Sequence, residues 1–174
     1  KAGLIVWLDA SDKSTLKLDE NEGVTGLAKS LVDGWLNKAS TNDNGMFSAT
    51  GNRRPSYVSH TGDAMRPAIR FDGRNDALLA AGFGHKADTW TLMVVISPFE
   101  PAGGGAISSA TTAGGHDYDP GFTVDLFQSG GGFDSINVEG AGRTGTARDQ
   151  MKVSRPYGQW VVVTVERDEH EVRL

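Results

Sequence analysis

Apolar and polar residues alternate over several short stretches of the chain, which predicts β-strands half-buried in a sheet. The clearest stretch is 159–167, where one face carries Val161, Val163 and Val165 and the other carries Trp160, Val162, Thr164 and Glu166. Residues 121–127 alternate in the same way, and 135–139 form a further strand-like run. Residues 90–96 are apolar on both faces, which is typical of a central strand in a β-sandwich.

Glycine clusters separate these strand-like stretches, and helical patterns of about 10–15 residues do not alternate with them. Residues 26–36 hold a short helix-like stripe that Gly34 breaks, so we assign it to a helical turn or a loop. Residues 3–8 are rich in β-formers and predict an opening strand. We therefore predict an all-β protein, an antiparallel β-sandwich of the jelly-roll type, in one domain over residues 1–174.

Residues 67–79 combine a predicted strand, a tight acidic turn and a second apolar run that we expect to be a strand. Asp72 and Gly73 form a dipeptide that ends strands and starts turns. Three side chains with oxygen atoms, Asp72, Asn75 and Asp76, fall close together at this turn. The sequence therefore predicts a loop that displays polar oxygen atoms between two strands.

Composition excludes several classes of protein. The chain has 17 basic and 22 acidic residues, a net charge of −5 that is spread along its length, so a nucleic-acid partner is not expected. Apolar runs fall short of the roughly 18 residues that a membrane span needs, so no span is expected. The absence of cysteine excludes disulfides, thiolate metal sites and cysteine nucleophiles.

Local motifs for catalysis and for nucleotide binding are weak. Residues 140–145 match GxGxxG, but a dinucleotide site also needs a βαβ unit, so we expect a glycine-rich turn and no nucleotide cofactor. The E-x-D-x-x-E string of retaining β-glucanases does not occur, and the four histidines are scattered. We expect a protein that is not an enzyme; carboxylates brought together from distant strands are the alternative.

Calcium is the ion that the acidic loops suit best, because it binds hard oxygen ligands from carboxylates, amides and carbonyls. The predicted metal ligands are Asp72, Asn75, Asp76 and Asp119, and Asp9 and Asp12 are candidates to join one of these loops. The alternative is that these side chains hydrogen-bond their own turns.

Aromatic residues divide into core and ligand-binding candidates. Trp7, Trp90 and Trp160 lie in strongly apolar stretches and are predicted to be core residues. Trp35 lies between Gly34 and polar residues, and Tyr118 lies between two aspartates in a glycine-rich loop. Because sugar-binding proteins stack exposed aromatic rings on sugars, the predicted ligand-binding residues are Tyr118, Trp35 and the neighbouring Asp117.

Landmarks over almost the whole chain resemble bacterial laminin G-like domains of the concanavalin A-like lectin/glucanase superfamily. In the first half they are GLIVWLDA at 3–10, VDGWLNKA at 32–39, RPSYV at 54–58 and FDGRND at 71–76, followed by the strand at 90–96. Asn37 departs from the pattern, which usually has Asp at that position. In the second half, DYDPGFTVDL at 117–126, INVEGAG at 136–142, ARDQM at 147–151 and PYGQW at 156–160 are similar to a version of this domain in large surface or periplasmic proteins. Some of those proteins also carry cytochrome c-like domains.

The resemblance implies a non-catalytic carbohydrate-binding or adhesion module, sometimes with structural calcium, in an extracytoplasmic multidomain protein. Its expected partners are a glycan or polysaccharide and the neighbouring domains of the parent polypeptide. A chain that stops at Leu174 is expected to omit the last one or two strands of such a jelly roll, and without a C-x-x-C-H motif it is expected to bind no haem. The alternatives are a structural or interaction domain without a glycan ligand, and a glycoside hydrolase or lyase with dispersed carboxylates.

Overall fold

The computed structural model describes ten segments of the chain, which divides into two compact units, Lys1–Gly84 and His85–Leu174. The described residues are 3–22, 28–39, 45–61, 65–80, 89–99, 106–110, 122–129, 132–140, 155–168 and 172–173. Each unit is taken by itself below. This division does not test the prediction of one domain over residues 1–174, which stays a prediction.

The described residues of the first unit form five antiparallel strands and two short 3₁₀ helices. The strands are β1 (Leu16–Glu22), β2 (Ala28–Leu36), β3 (Met46–Ser48), β4 (Ser56–Thr61) and β5 (Arg66–Arg70), and the 3₁₀ helices are Lys13–Thr15 and Gly51–Arg53. The sheet has the order β1-β2-β4-β5, with β3 also paired to β2. Strand β2 therefore pairs with three of the other four strands.

The prediction of a helical turn or loop over residues 26–36 is wrong, because most of this stretch is the central strand β2. Its local pattern was ambiguous, and pairing with β1, β3 and β4 decides its conformation. Val32 of this strand is completely buried, and its N–H donates to the carbonyl of Pro55 at 2.8 Å. Tertiary pairing has overridden a weak helical propensity here.

In the second unit, the part of the chain that the structure describes forms seven strands in two antiparallel sheets. They are β6 (Trp90–Ile96), β7 (Ala106–Ala110), β8 (Phe122–Ser129), β9 (Gly132–Gly140), β10 (Arg155–Pro156), β11 (Val161–Arg167) and β12 (Val172–Arg173). One sheet has the order β10-β9-β8-β7 and the other the order β12-β11-β6. The buried core joins the two sheets, since Val124 of β8 packs in one cluster with Val163 and Val165 of β11.

The two faces of β11 follow the sequence prediction. Val163 and Val165 are buried on one face, whereas Val162 is 64% exposed on the other. Strand β6 differs from the prediction of a central strand buried on both sides, because Met93 and Val95 are 69% and 61% exposed. Among the described strands β6 pairs with β11 alone, so it has the position of an edge strand.

The opening residues 3–8 are not a strand, which corrects the sequence prediction. Their backbone groups bond to the side chain of Asn37 and to the backbone of Lys38, so they do not join a sheet ladder. The core prediction is also wrong for Trp7 and Trp160, which are exposed. Trp90 is half-buried and packs against the core of the second unit.

The prediction of an all-β protein with antiparallel sheets is confirmed. The predicted strand after the acidic turn is reduced to a single bridge between Leu79 and Ser48. Among the described residues, helix is limited to the two 3₁₀ turns, and none of it could span a membrane. The jelly-roll topology stays a prediction.

Paired substitutions on β11 test the assignment of its faces. Val165→Ala removes two buried methyl groups from the core and should lower the free energy of unfolding by about 2 kcal/mol. Val162→Ala changes the exposed face and should cost less than about 0.5 kcal/mol. Chemical denaturation of the two variants measures both values, and equal losses would contradict the face assignment.

Candidate functional site

An open cleft of about 430 Å³, with both charged and apolar lining residues, lies in the first unit. Its lining comes from β1, β2, β3 and the 3₁₀ turn that follows β3, and consists of Lys17, Asp33, Met46, Ser48, Ala49, Thr50, Gly51 and Arg54. The volume falls within the range of small-molecule sites in proteins. The cleft is therefore the candidate site.

A bulge in the β1–β2 ladder places Asp33 in this cleft. Lys17 pairs with Gly34 and Leu18 pairs with Val32, so Asp33 is an extra residue without a partner position on β1. Bulges redirect a side chain that a regular ladder would hold in alternation. The carbonyl of Asp33 accepts a hydrogen bond from the N–H of Ala49 at 3.0 Å, which fixes the bulge against the chain after β3.

Arg54 is held in place by two carboxylates and one carbonyl. Its Nη1 donates to Asp19 Oδ2 at 2.6 Å and to Asp33 Oδ1 at 3.0 Å. Its Nε donates to the carbonyl of Gly51 at 2.9 Å. The three side chains are only 21–32% exposed, so water screens these contacts less than it would on an open surface.

The charges of this cluster compensate one another. Hydrogen bonds from Arg54 to Asp19 and then to Asp33 raise the pKa of the guanidinium, so it stays charged at any physiological pH. With Lys17 the cluster has two positive and two negative groups. The cleft therefore presents charged donors and acceptors without a large net field, which suits an uncharged polar ligand.

Gly34 leaves room for an apolar side chain beside these charges. A Cβ atom at Gly34 would lie 2.7 Å from Met46 Sδ and 3.1 Å from Met46 Cγ, closer than packed atoms allow. Met46 lines the cleft and is 45% exposed. The site thus combines a hydrogen-bonding wall with an exposed apolar patch.

A second charged cluster lies where the opening segment meets the end of β2. Lys38 Nζ is 3.2 Å from Asp9 Oδ2 and 2.9 Å from Asp12 Oδ2. It also lies over the ring of Trp7, 4.8 Å from the centroid. Asp9 and Asp12 were candidates to join a calcium site, and in this structure a lysine ammonium lies between their carboxylates.

Asn37 attaches the opening segment to the sheet. The side chain is 2% exposed, and its Oδ1 accepts from the N–H groups of Trp7 at 2.8 Å and Ala39 at 3.0 Å. Its Nδ2 donates to the carbonyl of Ile5 at 2.8 Å. An ionised aspartate could not make this donation, so the bond to Ile5 requires the amide of Asn37.

The predicted calcium loop is held together by its own hydrogen bonds. Asp72 Oδ1 accepts from the backbone N–H groups of Arg74, Asn75 and Asp76 at 2.9–3.4 Å. These bonds, that of Arg74 first, lower the pKa of the Asp72 carboxyl. Asp76 Oδ2 in turn accepts from the N–H of Asp72 at 2.8 Å. Side chains that hydrogen-bond their own turn are the arrangement that the sequence analysis gave as the alternative to a metal site.

Of the other predicted site residues, the structure describes Trp35 and does not describe the three around position 118. Asp117, Tyr118 and Asp119 lie outside the described residues. Trp35 lies on β2 and is half-buried, and its Nε1 is buried without a hydrogen-bond partner among the described residues. Across the described segments, groups of three His, Cys, Asp or Glu that could hold a metal ion do not occur. The calcium ligands stay a prediction.

Sequence reasoning missed the residues of the cleft. Arg54 contacts Asp33 and Asp19 over separations of 21 and 35 residues. Arg54 begins the RPSYV stretch at 54–58, but it was not among the predicted site residues, and no local pattern pointed to its partners. The bulge at Asp33 depends on the register between β1 and β2, which a single sequence does not reveal.

The cluster around Lys38 should respond to acid. Hydrogen bonding by Ser11, and to a smaller extent by Lys38, lowers the pKa of Asp9, and hydrogen bonding by Lys38 lowers that of Asp12. A carboxyl with a lowered pKa stabilises the fold above its ordinary pKa, and this contribution is lost as the pH falls through the lowered value. The contact of Lys38 with Trp7 should therefore weaken below about pH 4.

The indole N–H signal of Trp7 reports this change in NMR spectra recorded from pH 6 to pH 2. Lys38→Met should abolish the acid transition of this signal. Lys13→Met is the matched control, because Lys13 Nζ also lies over an aromatic ring, that of Tyr57 at 5.0 Å, outside the cluster. A transition in Lys38→Met equal to that of the unmodified protein would contradict the assignment.

Comparison of the chain with protein-family models, curated proteins and solved structures finds no match. The functional argument therefore depends on the cleft and on the sequence.

Proposed function

We propose that this chain is a non-catalytic carbohydrate-binding or adhesion module of an extracytoplasmic multidomain protein, and that the cleft of the first unit is its glycan site. The supporting observation is the position of Arg54, which is fixed by protein contacts beside Asp33 in an open cleft. A rigid donor and a rigid acceptor side by side are what recognition of a hydroxylated ligand requires.

The chemistry of the cleft lining supports a sugar over an apolar ligand. Lys17 and Arg54 supply donors, Asp33 supplies an acceptor, and the hydroxyl groups of Ser48 and Thr50 supply both. Hydrogen bonds with a charged partner are roughly twice as strong as neutral ones. The exposed thioether of Met46 offers an apolar contact for the C–H face of a pyranose ring.

The same lining supports binding without catalysis. Glycoside hydrolysis uses two carboxyl groups on either side of the scissile bond, one of which must carry a proton. Asp33 is the single carboxylate among the described residues that line the cleft, and it is ion-paired with Arg54. A hydrolase or lyase with dispersed carboxylates therefore receives no support from this site.

Calcium and the aromatic loop residues belong to the proposal as further elements. Asp72, Asn75 and Asp76 in the first unit and Asp119 in the second are each proposed as calcium ligands, and Tyr118, Asp117 and Trp35 are each proposed as residues that contact a sugar. Binding in calcium and in chelator separates this part of the proposal from the cleft.

A structural or interaction domain without a glycan ligand is the second candidate, and the exposed face of β6 and β11 favours it. Val162 pairs directly with Val95, and the neighbouring Met93 is also exposed. Phe99 and Trp160, close in sequence to these strands, are exposed as well. Contiguous apolar surface of this kind is common at protein–protein contacts.

A binding screen against soluble polysaccharides and a glycan array tests the proposed function. We expect binding to at least one glycan, and Arg54→Lys should weaken it by about tenfold or more, because a lysine cannot reproduce the fixed guanidinium. Arg66→Lys is the matched control, since Arg66 is exposed on β5 and does not line the cleft.

The screen is run in calcium and again with chelator. Binding lost on chelation would support the ion-assisted loops, and binding that persists would support the cleft and the aromatic residues. Absence of binding under both conditions would overturn the glycan proposal and make the interaction domain the leading function.

A further inference from the structure

The hydrogen bonds of Arg54 leave one edge of its guanidinium unused. A guanidinium has five N–H donors. Nε donates to Gly51, and Nη1 donates to Asp19 and Asp33. The two N–H groups of Nη2 have no partner within the described part of the chain. The side chain is thus immobilised by three bonds while two charged donors remain.

Asp33 leaves a matching acceptor. Its Oδ1 accepts from Arg54, whereas its Oδ2 has no hydrogen-bond partner in the described segments. The backbone of Asp33 is fixed by the bulge and by the bond from Ala49. Nη2 and Oδ2 are the unused atoms of one ion pair, whose bonded atoms Nη1 and Oδ1 are 3.0 Å apart, so an unused donor and an unused acceptor belong to the same fixed pair of side chains.

This arrangement disfavours a carboxylate ligand. Arginine recognises carboxylates most strongly through a fork of two nitrogens. In Arg54 both Nε and Nη1 already donate to the protein, so Nη2 alone is left and a fork is not possible. The carboxylate of Asp33 would also repel a second carboxylate placed beside it.

Two adjacent hydroxyl groups satisfy both free atoms at once. One hydroxyl accepts from Nη2 while its neighbour donates to Oδ2, and each bond involves a charged partner. Met46 lines the same cleft and occupies the space that Gly34 leaves open. A pyranose ring with free hydroxyls on neighbouring carbons offers both the polar edge and the apolar face that these groups require.

We infer that the cleft selects neutral saccharides through a vicinal diol, with Arg54 Nη2 as the donor and Asp33 Oδ2 as the acceptor, an inference that rests on the proposed glycan-binding function. Asp33 and Arg54 are then the residues that determine specificity. Asp19 acts as a positioning residue, since it holds Nη1 and does not line the cleft.

Titration of the ¹⁵N-labelled full chain with three oligosaccharides tests this inference by NMR. The probes are cellohexaose, cellohexaose whose vicinal diols have been cleaved by periodate and reduced, and hexagalacturonate. Cellohexaose should shift the Nε–H signal of Arg54 and the backbone signals of residues 48–51. The cleaved form should bind about tenfold more weakly or worse, because it has lost the fixed pair of hydroxyls. Hexagalacturonate should also bind more weakly than cellohexaose.

A substitution provides the second arm. Asp33→Asn removes the charged acceptor and should weaken cellohexaose binding about tenfold. It should also reduce the difference in affinity between cellohexaose and hexagalacturonate. Backbone spectra and thermal unfolding establish that the variant is folded. The comparison of the three probes needs no variant, so the inference stays testable if Asp33→Asn unfolds.

The outcomes distinguish a failure of the diol inference from a failure of the proposed glycan-binding function. If none of the three probes binds and the broader glycan screen is also negative, the proposed function fails and the inference fails with it. If a glycan binds but hexagalacturonate or the cleaved probe binds as well as cellohexaose, the diol inference is overturned and the function stands. Shifts confined to residues outside the cleft would have the same meaning.

Discussion

The pairing of β2 with three other strands is the constraint on which the first unit depends. The backbone groups of a central strand must find hydrogen-bond partners on both sides, and for β2 these partners are β1, β3 and β4. The bulge at Asp33 interrupts the ladder at one position and turns a carboxylate towards Arg54. The cleft depends on the pairing of β2, since its lining comes from the strands that β2 brings together.

Acidic residues in the first unit are used mainly for internal contacts. Asp9 and Asp12 hold Lys38, and Asp19 and Asp33 hold Arg54. Each cation joins parts of the chain that are distant in sequence, and so these clusters act as cross-links between the sheet and the segments around it. Such partly exposed contacts are individually modest, but two carboxylates on one cation restrict its geometry more than a single pair does.

The fixed position of Arg54 supports the proposed role of the cleft in ligand recognition. Arg54 donates three hydrogen bonds to the protein, which hold its side chain in place, so a ligand need not immobilise it. In the second unit the equivalent order comes from apolar packing of Val124, Val163 and Val165 between two sheets. The exposed Val162 of β11 and Val95 of β6 show that the sheet of these two strands buries one face and leaves the other exposed.

Local patterns in the sequence were sufficient to predict the strands in which apolar and polar residues alternate and the turn whose residues stabilise it. The strand at 161–167 and its two faces, the all-β class and the acidic turn at Asp72 follow from a period of two and from turn chemistry. Each depends on neighbours within a few residues, which the sequence displays directly.

Tertiary structure alone decided the central strand, the opening segment and the cleft. Residues 28–36 form a strand because three neighbouring strands offer hydrogen-bond partners, whereas the backbone of residues 3–8 bonds to Asn37 and Lys38 and not to a neighbouring strand. Arg54 meets Asp19 and Asp33 only when β1, β2 and the chain before β4 are brought together. These contacts join residues 21 to 35 positions apart, and register, which one bulge can shift, determines whether they form.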